Sequence, residues 1–143
     1  MNITLKLLDE TLPTPVYHTS GSVAFDLYSR KEIVIKPFIA TVIPLNVVIK
    51  IPKGHMLLLA CRSSLPLKKN LLVPNGVGII DQDYCGDNDE IGLEVFNFGK
   101  TSVTVEKGER IAQAMIVKIA KVARFTKVKK MKVKSRGGFG STG

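Results

Sequence analysis

Prolines and glycines divide this chain into short segments, and that division limits the fold more than any other feature of the sequence. Seven prolines and twelve glycines are scattered along 143 residues. Proline removes a backbone donor and glycine weakens regular structure, so no long helix fits between them. The remaining segments are rich in Val and Ile, which favour strands. Short strands between frequent turns predict an all-β sandwich or barrel.

Six segments carry the strand signal. Five of them are short runs rich in β-branched or other apolar residues. The sixth is almost continuously apolar, so periodicity cannot separate a buried strand from a helix, but its β-branched residues favour a strand. The predicted strands are residues 32–35, 41–51, 56–60, 91–98, 101–105 and 110–122.

The positive charge of the chain is confined to one segment. The formal net charge is +9, but residues 1–117 hold 12 basic and 12 acidic side chains and sum to zero. The other 9 basic residues lie within residues 118–136, which contain no acidic residue. Such a segment attracts polyanions such as phosphate groups, nucleic acid or an acidic protein surface. Only Phe125 is available there for stacking on a base, which favours a solvated arm.

Length and composition favour one intracellular domain. We predict a β-barrel domain over residues 1–126, followed by a basic segment and flexible glycine-rich arm over residues 127–143. No apolar run approaches the roughly 18–20 residues of a membrane span. Residues 1–10 do not resemble a signal peptide, so a cytoplasmic location without membrane contact is expected. Cys61 and Cys85 are too far apart for a CxxC unit and are expected to be reduced thiols.

Six carboxylates lie between positions 81 and 94, and one of them has a setting suited to catalysis. Asp81 follows the apolar, glycine-containing residues 76–80, so we expect it at the mouth of a buried strand. A carboxylate in that position is a candidate general base. Asp87, Asp89 and Glu90 are explained more simply as members of a solvated turn.

Two further segments have the chemistry of phosphate binding. Arg62, Ser63 and Ser64 offer a guanidinium and two hydroxyls directly after an apolar run, and such groups can grip phosphate oxygens. The glycine-rich C-terminal residues carry a cation, an aromatic ring and two hydroxyls, which an arm that folds over a nucleotide would need. From the residues alone, a disordered tail is the simpler explanation of this arm.

In chain order, five segments resemble the five motifs of trimeric dUTPases. They are residues 24–28, 62–65, 75–86, 108–113 and 136–143. Each motif alone is modest support, but all five in the right order indicate membership in this family. The resemblance implies a jelly-roll-like β-barrel that forms a homotrimer. In that family each active site is shared by three subunits, and a C-terminal arm is exchanged between them.

The same resemblance implies hydrolysis of dUTP to dUMP and pyrophosphate, with Mg²⁺ as cofactor. Asp81 would activate the water that attacks the α-phosphorus, and a well-placed general base contributes roughly 10²–10⁴-fold to a rate. Asp26 would orient the water shell of a Mg²⁺ held by the triphosphate, which suits an ion that keeps several waters. The phosphate oxygens would be held by Arg62, Ser63, Ser64 and Gln113.

The family resemblance also implies how uracil and deoxyribose are recognised. Asn75 would read uracil with its amide, together with backbone groups of its turn, Gly78 among them. The ring of Tyr84 would pack against the deoxyribose and leave no room for a 2′-hydroxyl. A closed arm would exclude water and strengthen the electrostatic contacts beneath it. Its residues would be Phe139, stacked on uracil, and Arg136, Ser141 and Thr142, on the phosphates.

Five departures from the family pattern bear on these assignments. Cys61 stands where the family usually has Pro, and Ser64 stands where Gly is usual. Cys85 replaces the usual Arg or Gln after the tyrosine, and residues 87–89 look inserted. The fifth motif is two residues short after Arg136, which bears most directly on the role of that side chain.

Two alternatives stay open. Residues 62–65 also resemble dCTP deaminases, and Glu94 falls where that family keeps a catalytic glutamate, so a dCTP deaminase or a bifunctional dCTP deaminase/dUTPase is one of them. Otherwise Glu94 is an outward-facing strand residue. The other is a non-enzymatic module that binds nucleic acid through residues 118–136. It predicts steeply salt-dependent binding and no release of pyrophosphate, whereas the dUTPase resemblance predicts no specific nucleic-acid partner.

Overall fold

The computed structural model describes residues 1–138 and residue 140. Within them the chain forms short strands and a single short helix, so the all-β prediction is confirmed. No helix in this part of the chain is long and apolar enough to cross a membrane. The helix α1 spans Leu65–Lys69, and the strands are β1 (Thr4–Leu7), β2 (Phe25–Tyr28), β3 (Ile33–Ile35), β4 (Ala40–Pro44), β5 (Val47–Lys50), β6 (His55–Cys61), β7 (Leu71–Leu72), β8 (Gly78–Ile80), β9 (Gly92–Asn97), β10 (Val103–Val105) and β11 (Arg110–Lys118).

Each predicted strand is found, although one of them is divided. The sequence predicts a single strand over residues 41–51, but β4 and β5 are separated by a turn. Asn46 adopts a φ of 67° in this turn, a left-handed conformation in which Asn is enriched. The ambiguous segment 110–122 is strand β11, which ends at Lys118. Helix α1 is not predicted from the sequence, and it is only 5 residues long.

The strands form four antiparallel sheets around one hydrophobic core. The largest has the order β2-β11-β6-β8, and a three-stranded sheet has the order β4-β9-β7. Strands β1 and β5 form one pair, and β10 and β3 form another. Side chains from all four sheets contribute to the core cluster, among them Leu57, Leu93 and Ile35, each at most 1% exposed.

The four-stranded sheet has a core face and an outer face. Leu57 and Leu59 of β6 point into the core and are almost fully buried. Because side chains alternate along a strand, their neighbours project from the opposite face. Leu58 lies there between Met115 of β11 and Ile79 of β8. An apolar strip therefore runs across the outer face of this sheet.

The chain forms neither helix nor strand from residue 119 to residue 138. Every residue from 120 to 138 is exposed. This part of the chain adds nothing to the core. The predicted division between a domain over 1–126 and an arm over 127–143 stays a prediction.

Candidate active site

Asp26 is only 8% exposed and lies among three basic side chains. Nε of Arg62 lies 3.3 Å from its Oδ1. Its Oδ2 lies 3.3 Å from Nη1 of Arg110 and 3.2 Å from Nε2 of His18. We call these four residues the Asp26 cluster. A carboxylate has about four lone-pair sites, so three contacts leave capacity for one more hydrogen bond.

Neighbouring strands bring the Asp26 cluster together. Asp26 lies in β2 and is paired in register with Gln113 of β11, on the outer face of the sheet. Arg110 is the first residue of β11, and Arg62 follows the last residue of β6. Because β11 pairs with both β2 and β6, the two guanidinium groups converge on one carboxylate. The cross-strand register therefore places these side chains together, although their sequence positions are far apart.

A cationic cavity of about 270 Å³ opens beside the Asp26 cluster. Its charged lining consists of four cations and a single carboxylate, Glu109, which pairs with Lys69 at 3.0 Å. The hydroxyl-bearing Ser64 also lines the cavity, while Ser63 is exposed. Gln113 uses one amide hydrogen on the carbonyl oxygen of Cys61, at 3.1 Å, and keeps its other donor. The four cations are Arg62, Lys68, Lys69 and Arg110.

The predicted base and the predicted uracil-binding turn lie together at another corner of the same sheet. Asp81 follows the last residue of β8 and is exposed. The amide N–H of Tyr84 donates to the backbone oxygen of Asp81 at 3.3 Å. A cavity of about 250 Å³ is lined here by Asn75, Gly78 and Glu94 among others. We call Asp81, Asn75, Gly78 and Tyr84 the Asp81 corner.

One expectation about Asp81 is wrong. It does follow a strand, but that strand is not buried. β8 is the 3-residue edge strand of its sheet, and Ile79 within it is 63% exposed. An edge strand leaves one row of its backbone groups unpaired, and the outer face of β8 is open around Ile79.

A single chain does not bring the two groups together. Asp26 pairs with Gln113 and through it with Ala60, whereas Asp81 lies one residue beyond the pairing of Ile80 with Leu57. The two carboxylates are therefore separated by three strand spacings, about 14 Å, and by about 13 Å along the strands. The predicted site residues form two half-sites at opposite corners of one sheet.

The carboxylate of Glu90 is held between strands, which corrects the expectation of a solvated turn at this position. Nε and Nη2 of Arg30 donate to its two oxygens, each at 2.7 Å. The N–H of Asn46 donates to the same group at 2.9 Å. Burial alone would raise the pKa of Glu90, but these hydrogen bonds outweigh it and lower the pKa. The backbone oxygen of Glu90 accepts a hydrogen bond from the phenol of Tyr84 at 3.1 Å, so this anchor also orients the tyrosine.

The inserted acids next to Glu90 make weaker contacts. Asp87 pairs with Lys6 at 3.1 Å, but the two side chains are 90% and 50% exposed. The carboxylate of Asp89 accepts a hydrogen bond from the N–H of Gly86 at 2.7 Å and closes the turn. The solvated-turn interpretation therefore suits Asp87 best among the three acids.

Sequence reasoning missed several members of the cationic half-site. Arg110 lies within the fourth motif, but no role is predicted for it. Lys68 and Lys69 follow the second motif, and a basic pair so close to Arg62 is a signal that could have found them. His18 belongs to no motif, and nothing in its sequence neighbourhood indicates a contact with Asp26.

The remaining predictions concern the C-terminal arm and the two cysteines. Arg136 is exposed. The predicted roles of Phe139, Ser141 and Thr142 fall outside the described residues. Cys61 and Cys85 are free thiols, as predicted, and burial raises the pKa of Cys61.

The donor set near Asp26 fits a magnesium ion held through water. Within residues 1–138 and 140, no cluster of three or more His, Cys, Asp or Glu side chains could cage a metal ion. Mg²⁺ often keeps several waters and binds through one or two carboxylates plus substrate phosphates. Asp26 has capacity for one further hydrogen bond and lies beside a cationic pocket, so it suits an ion bound chiefly by a triphosphate.

The fold and the cations of the first half-site suit a β protein that binds phosphate esters, and comparison with known proteins identifies the family. The dUTPase family model matches residues 10–143, and the chain belongs to this family. It is 38% identical over 145 residues to the deoxyuridine 5′-triphosphate nucleotidohydrolase of fowlpox virus, covering 99% of this chain and 97% of that protein. The enzyme of the same name from Hydrogenobaculum is 39% identical over 146 residues, covering 100% and 99%.

Solved structures agree with this assignment. The dUTPase of Staphylococcus bacteriophage 80alpha with dUpNHpp superposes with a TM-score of 0.86 at 27% identity, covering 99% of this chain and 98% of that one. The dUTPase of Streptococcus mutans gives a TM-score of 0.78 at 29% identity, covering 84% and 98%. The expected jelly-roll-like fold of the family is thus confirmed.

Proposed function

We propose that this chain is a dUTP diphosphatase, which hydrolyses dUTP to dUMP and pyrophosphate. The match to the dUTPase family over residues 10–143 is the observation that carries the proposal. The two half-sites support it, because one offers cations for a triphosphate and the other an exposed carboxylate. The comparisons give no support to the dCTP deaminase alternative. A cytoplasmic location would follow from this activity and stays a prediction.

The proposal requires more than one copy of the chain, and a homotrimer satisfies it. In a closed ring, each subunit presents the same pair of surfaces to its two neighbours. The Asp81 corner of one copy can then meet the Asp26 cluster of the next. The apolar strip on the outer face supports such an assembly, since Ile79 is 63% exposed there and lies next to Leu58. Burial of this strip would stabilise the interface.

The cationic half-site would bind the triphosphate. Arg62 offers a fork of N–H donors that suits phosphate oxygens, and Ser63 and Ser64 offer hydroxyls. The second amide hydrogen of Gln113 would complete the set. Such donors are already oriented by the fold, so they stabilise charge that develops on the phosphates without reorganising. Ser64 in place of the family's usual glycine adds one hydroxyl to the cavity.

Asp26 would interact with the water shell of a Mg²⁺ carried by the substrate. When bound, the ion would supply positive charge to the phosphate oxygens. Arg62 and Arg110 hold the carboxylate of Asp26 in one orientation. Asp26 would thus act as a fixed acceptor for metal-bound water.

Asp81 would act as the general base. Its carboxylate accepts a proton from a water molecule, and the water oxygen forms a bond to the α-phosphorus. The bond between the α-phosphorus and the bridging oxygen breaks, and pyrophosphate leaves with the electron pair. Asp81 then returns its proton to solvent. A base of this kind contributes roughly 10²–10⁴-fold to the rate.

The Asp81 corner would also recognise the nucleoside. The cavity lined by Asn75 and Gly78 offers an amide and backbone groups to uracil. Tyr84 is 41% exposed, and its phenol is tied to the backbone of Glu90, which leaves the ring available to pack on deoxyribose. The arm residues proposed to close over the nucleotide are Phe139, Arg136, Ser141 and Thr142.

One assay tests the proposed function. Release of pyrophosphate is measured for dUTP, dCTP, dTTP and UTP, each with and without Mg²⁺. We expect release from dUTP far above the other three nucleotides, and dependence on Mg²⁺. Ammonia released from dCTP, or equal turnover of dUTP and UTP, would contradict the proposal.

A further inference from the structure

His18 is the member of the Asp26 cluster to which the proposed mechanism gives no role. Its Nε2 lies 3.0 Å from Nη1 of Arg110 and 3.2 Å from Oδ2 of Asp26. Nη1 of Arg110 lies 3.3 Å from the same Oδ2. The guanidinium nitrogen, the ring nitrogen and the carboxylate oxygen therefore form a nearly equilateral triangle.

The guanidinium group of Arg110 can only donate hydrogen bonds, and this decides the role of the ring. An uncharged imidazole that carries its hydrogen on Nδ1 presents a lone pair at Nε2 and accepts from Arg110. In a triangle of this size, one N–H of Nη1 points between the two acceptors and is shared by them, as in other three-centre hydrogen bonds. Asp26 thus receives a single, shared hydrogen bond from Arg110.

Another arginine of this chain shows an arrangement that Arg110 does not adopt. Arg30 binds the carboxylate of Glu90 with Nε and Nη2, through two hydrogen bonds of 2.7 Å. Such two-bond pairs are frequent and strong between arginine and carboxylate. Arg110 reaches Asp26 with Nη1 alone, at 3.3 Å. The ring of His18 lies against the same Nη1 and competes with the carboxylate for it.

The shared contact leaves one edge of Arg110 unused. In the described part of the chain, its Nε and Nη2 groups have no acceptor. These two groups form a fork of N–H donors that matches phosphate oxygens. Arg110 lines the cationic cavity together with Arg62 and Lys68. The fork is therefore available to a triphosphate in this cavity.

The loop that carries His18 is anchored on both sides of this residue. The ring of Tyr17 packs edge-on against Phe25 of β2, with ring centroids 5.7 Å apart. The residues that follow His18 form a turn, in which the N–H of Thr19 donates to the hydroxyl oxygen of Ser22 at 3.1 Å. The N–H of Ser22 donates to the carbonyl oxygen of Thr19, also at 3.1 Å. The imidazole is therefore presented from a fixed position, although its side chain is 43% exposed.

We propose that His18 is a positioning residue for the triphosphate of dUTP and that it acts through Arg110. It holds Nη1 and keeps the fork of Nε and Nη2 directed at the phosphates. Without this ring, Arg110 turns its fork onto Asp26 and forms a two-bond pair. The phosphates then lose two donors, and Asp26 loses its capacity for metal-bound water. The inference rests on the proposed function, since it concerns the same substrate.

Two variants that differ by one methylene group test the proposal. The amide of glutamine reaches about as far as Nε2 of histidine, whereas the amide of asparagine reaches only as far as Nδ1. His18→Gln therefore keeps an acceptor beside Arg110, and His18→Asn removes it. The ligand is a dUTP analogue with an imido group in place of the α,β-bridging oxygen, so that binding is measured without turnover. Affinity is measured by calorimetry at one fixed Mg²⁺ concentration and at about pH 8, where imidazole is normally uncharged.

His18→Asn should weaken binding of the analogue about tenfold, which is a change of about 1.4 kcal/mol. His18→Gln should stay within about threefold of wild type, because the glutamine oxygen replaces the ring acceptor. The melting temperatures of the two variants should agree with each other, so a folding defect would not explain the difference. Equal affinities of His18→Gln and His18→Asn would overturn the proposal.

A double-mutant cycle separates positioning from a general structural role. Arg110→Gln removes the fork itself. In that background, His18→Asn should change the affinity by no more than about twofold, since no guanidinium remains to be directed. Equal weakening by His18→Asn in the two backgrounds would overturn the proposal. If the wild-type chain neither binds the analogue nor hydrolyses dUTP, the proposed function is refuted, and this inference with it.

Discussion

The Asp26 cluster and the Asp81 corner lie on one sheet, yet the environments of their two aspartates are opposite. Asp26 is 8% exposed and touches two arginines and a histidine. Asp81 is exposed, and in the described part of the chain its carboxylate forms no hydrogen bond or ion pair. The carboxylate of Asp26 is therefore held in one position by its contacts, whereas that of Asp81 is free to meet a water molecule or a substrate.

In the proposed mechanism, Asp26 orients metal-bound water and Asp81 accepts the proton of the attacking water. The first half-site is complete within one chain, because β2, β11 and β6 are hydrogen-bonded neighbours. In the proposed homotrimer, the second half-site would gain its catalytic setting when another copy of the chain covers it. The chemistry would then be divided between two surfaces that meet by assembly.

The largest expected effect comes from Asp81→Asn. The amide keeps the size of the side chain but cannot accept the proton of water, so kcat should fall by roughly 10²–10⁴-fold. Binding of dUTP should stay close to wild type, because Asp81 is not one of the side chains proposed to hold the triphosphate. Pyrophosphate release and calorimetric titration measure the two quantities. Asp83→Asn, in the same exposed loop, serves as the matched control and should keep wild-type turnover.

Removal of residues 136–143 should have the next largest effect. The arm is proposed to close over the nucleotide, so its loss should lower kcat/KM by orders of magnitude. Residues 136–138 are exposed, so the melting temperature should not change. Wild-type turnover by the shortened chain would mean that the two half-sites suffice without the arm.

The substitution Asp26→Asn tests the comparison of the two half-sites by its effect on the unfolding free energy. Arg62 and Arg110 would lose their charged partner, which should cost about 1–3 kcal/mol of unfolding free energy. Asp81→Asn should change the same quantity by no more than about 0.5 kcal/mol, since its side chain is exposed. Urea denaturation at one fixed protein concentration measures both. Equal costs in the two variants would contradict the difference between the half-sites.

The smallest effect is expected at the ion pair of Glu90 with Arg30, which lies next to the Asp81 corner, and this effect depends on pH. The pKa of Glu90 lies below its ordinary value of 4.5 in the folded chain. Its ion pair with Arg30 therefore contributes stability above about pH 4.5 and loses that contribution as pH falls through the lowered pKa. Glu90→Gln should cost about 1–2 kcal/mol at pH 7, since the pair is only partly exposed, and less at pH 3.

Asp87→Asn is the control for Glu90→Gln, because its pair with Lys6 is largely exposed. It should leave the unfolding free energy unchanged at both pH values. Glu90→Gln should also lower discrimination between dUTP and UTP, since the backbone of Glu90 holds the phenol of Tyr84. Unchanged discrimination would show that the anchor serves stability alone.

The sequence predicted β3 to β6 and β9 to β11 because their signals are local, but it predicted no strand at β1, β2 or β7. β-branched runs between prolines and glycines gave the positions of β6, β9 and β11 to within a few residues. The division of residues 41–51 was missed because it depends on the left-handed turn at Asn46, which a Val- and Ile-rich run conceals. Helix α1 is too short for a periodic signal.

The site was predicted residue by residue from the motifs, but its geometry was not. Cross-strand register brings Asp26 beside Arg110, and no local pattern encodes that contact across 84 positions. Glu90 was assigned to a solvated turn because its partner, Arg30, lies 60 positions away. The separation of Asp26 and Asp81 could not be read from one sequence, since motif order does not tell which copy of the chain supplies each motif.

Complementation between two inactive variants tests the shared site most directly. Asp81→Asn and Arg62→Ala chains are unfolded together at equal concentrations, refolded as mixed trimers and assayed for release of pyrophosphate from dUTP. Each site takes one half from each of two neighbouring copies in a ring, so about a quarter of the sites should be intact and activity should recover to that fraction. Mixed trimers that stay as inactive as either variant alone would contradict the account.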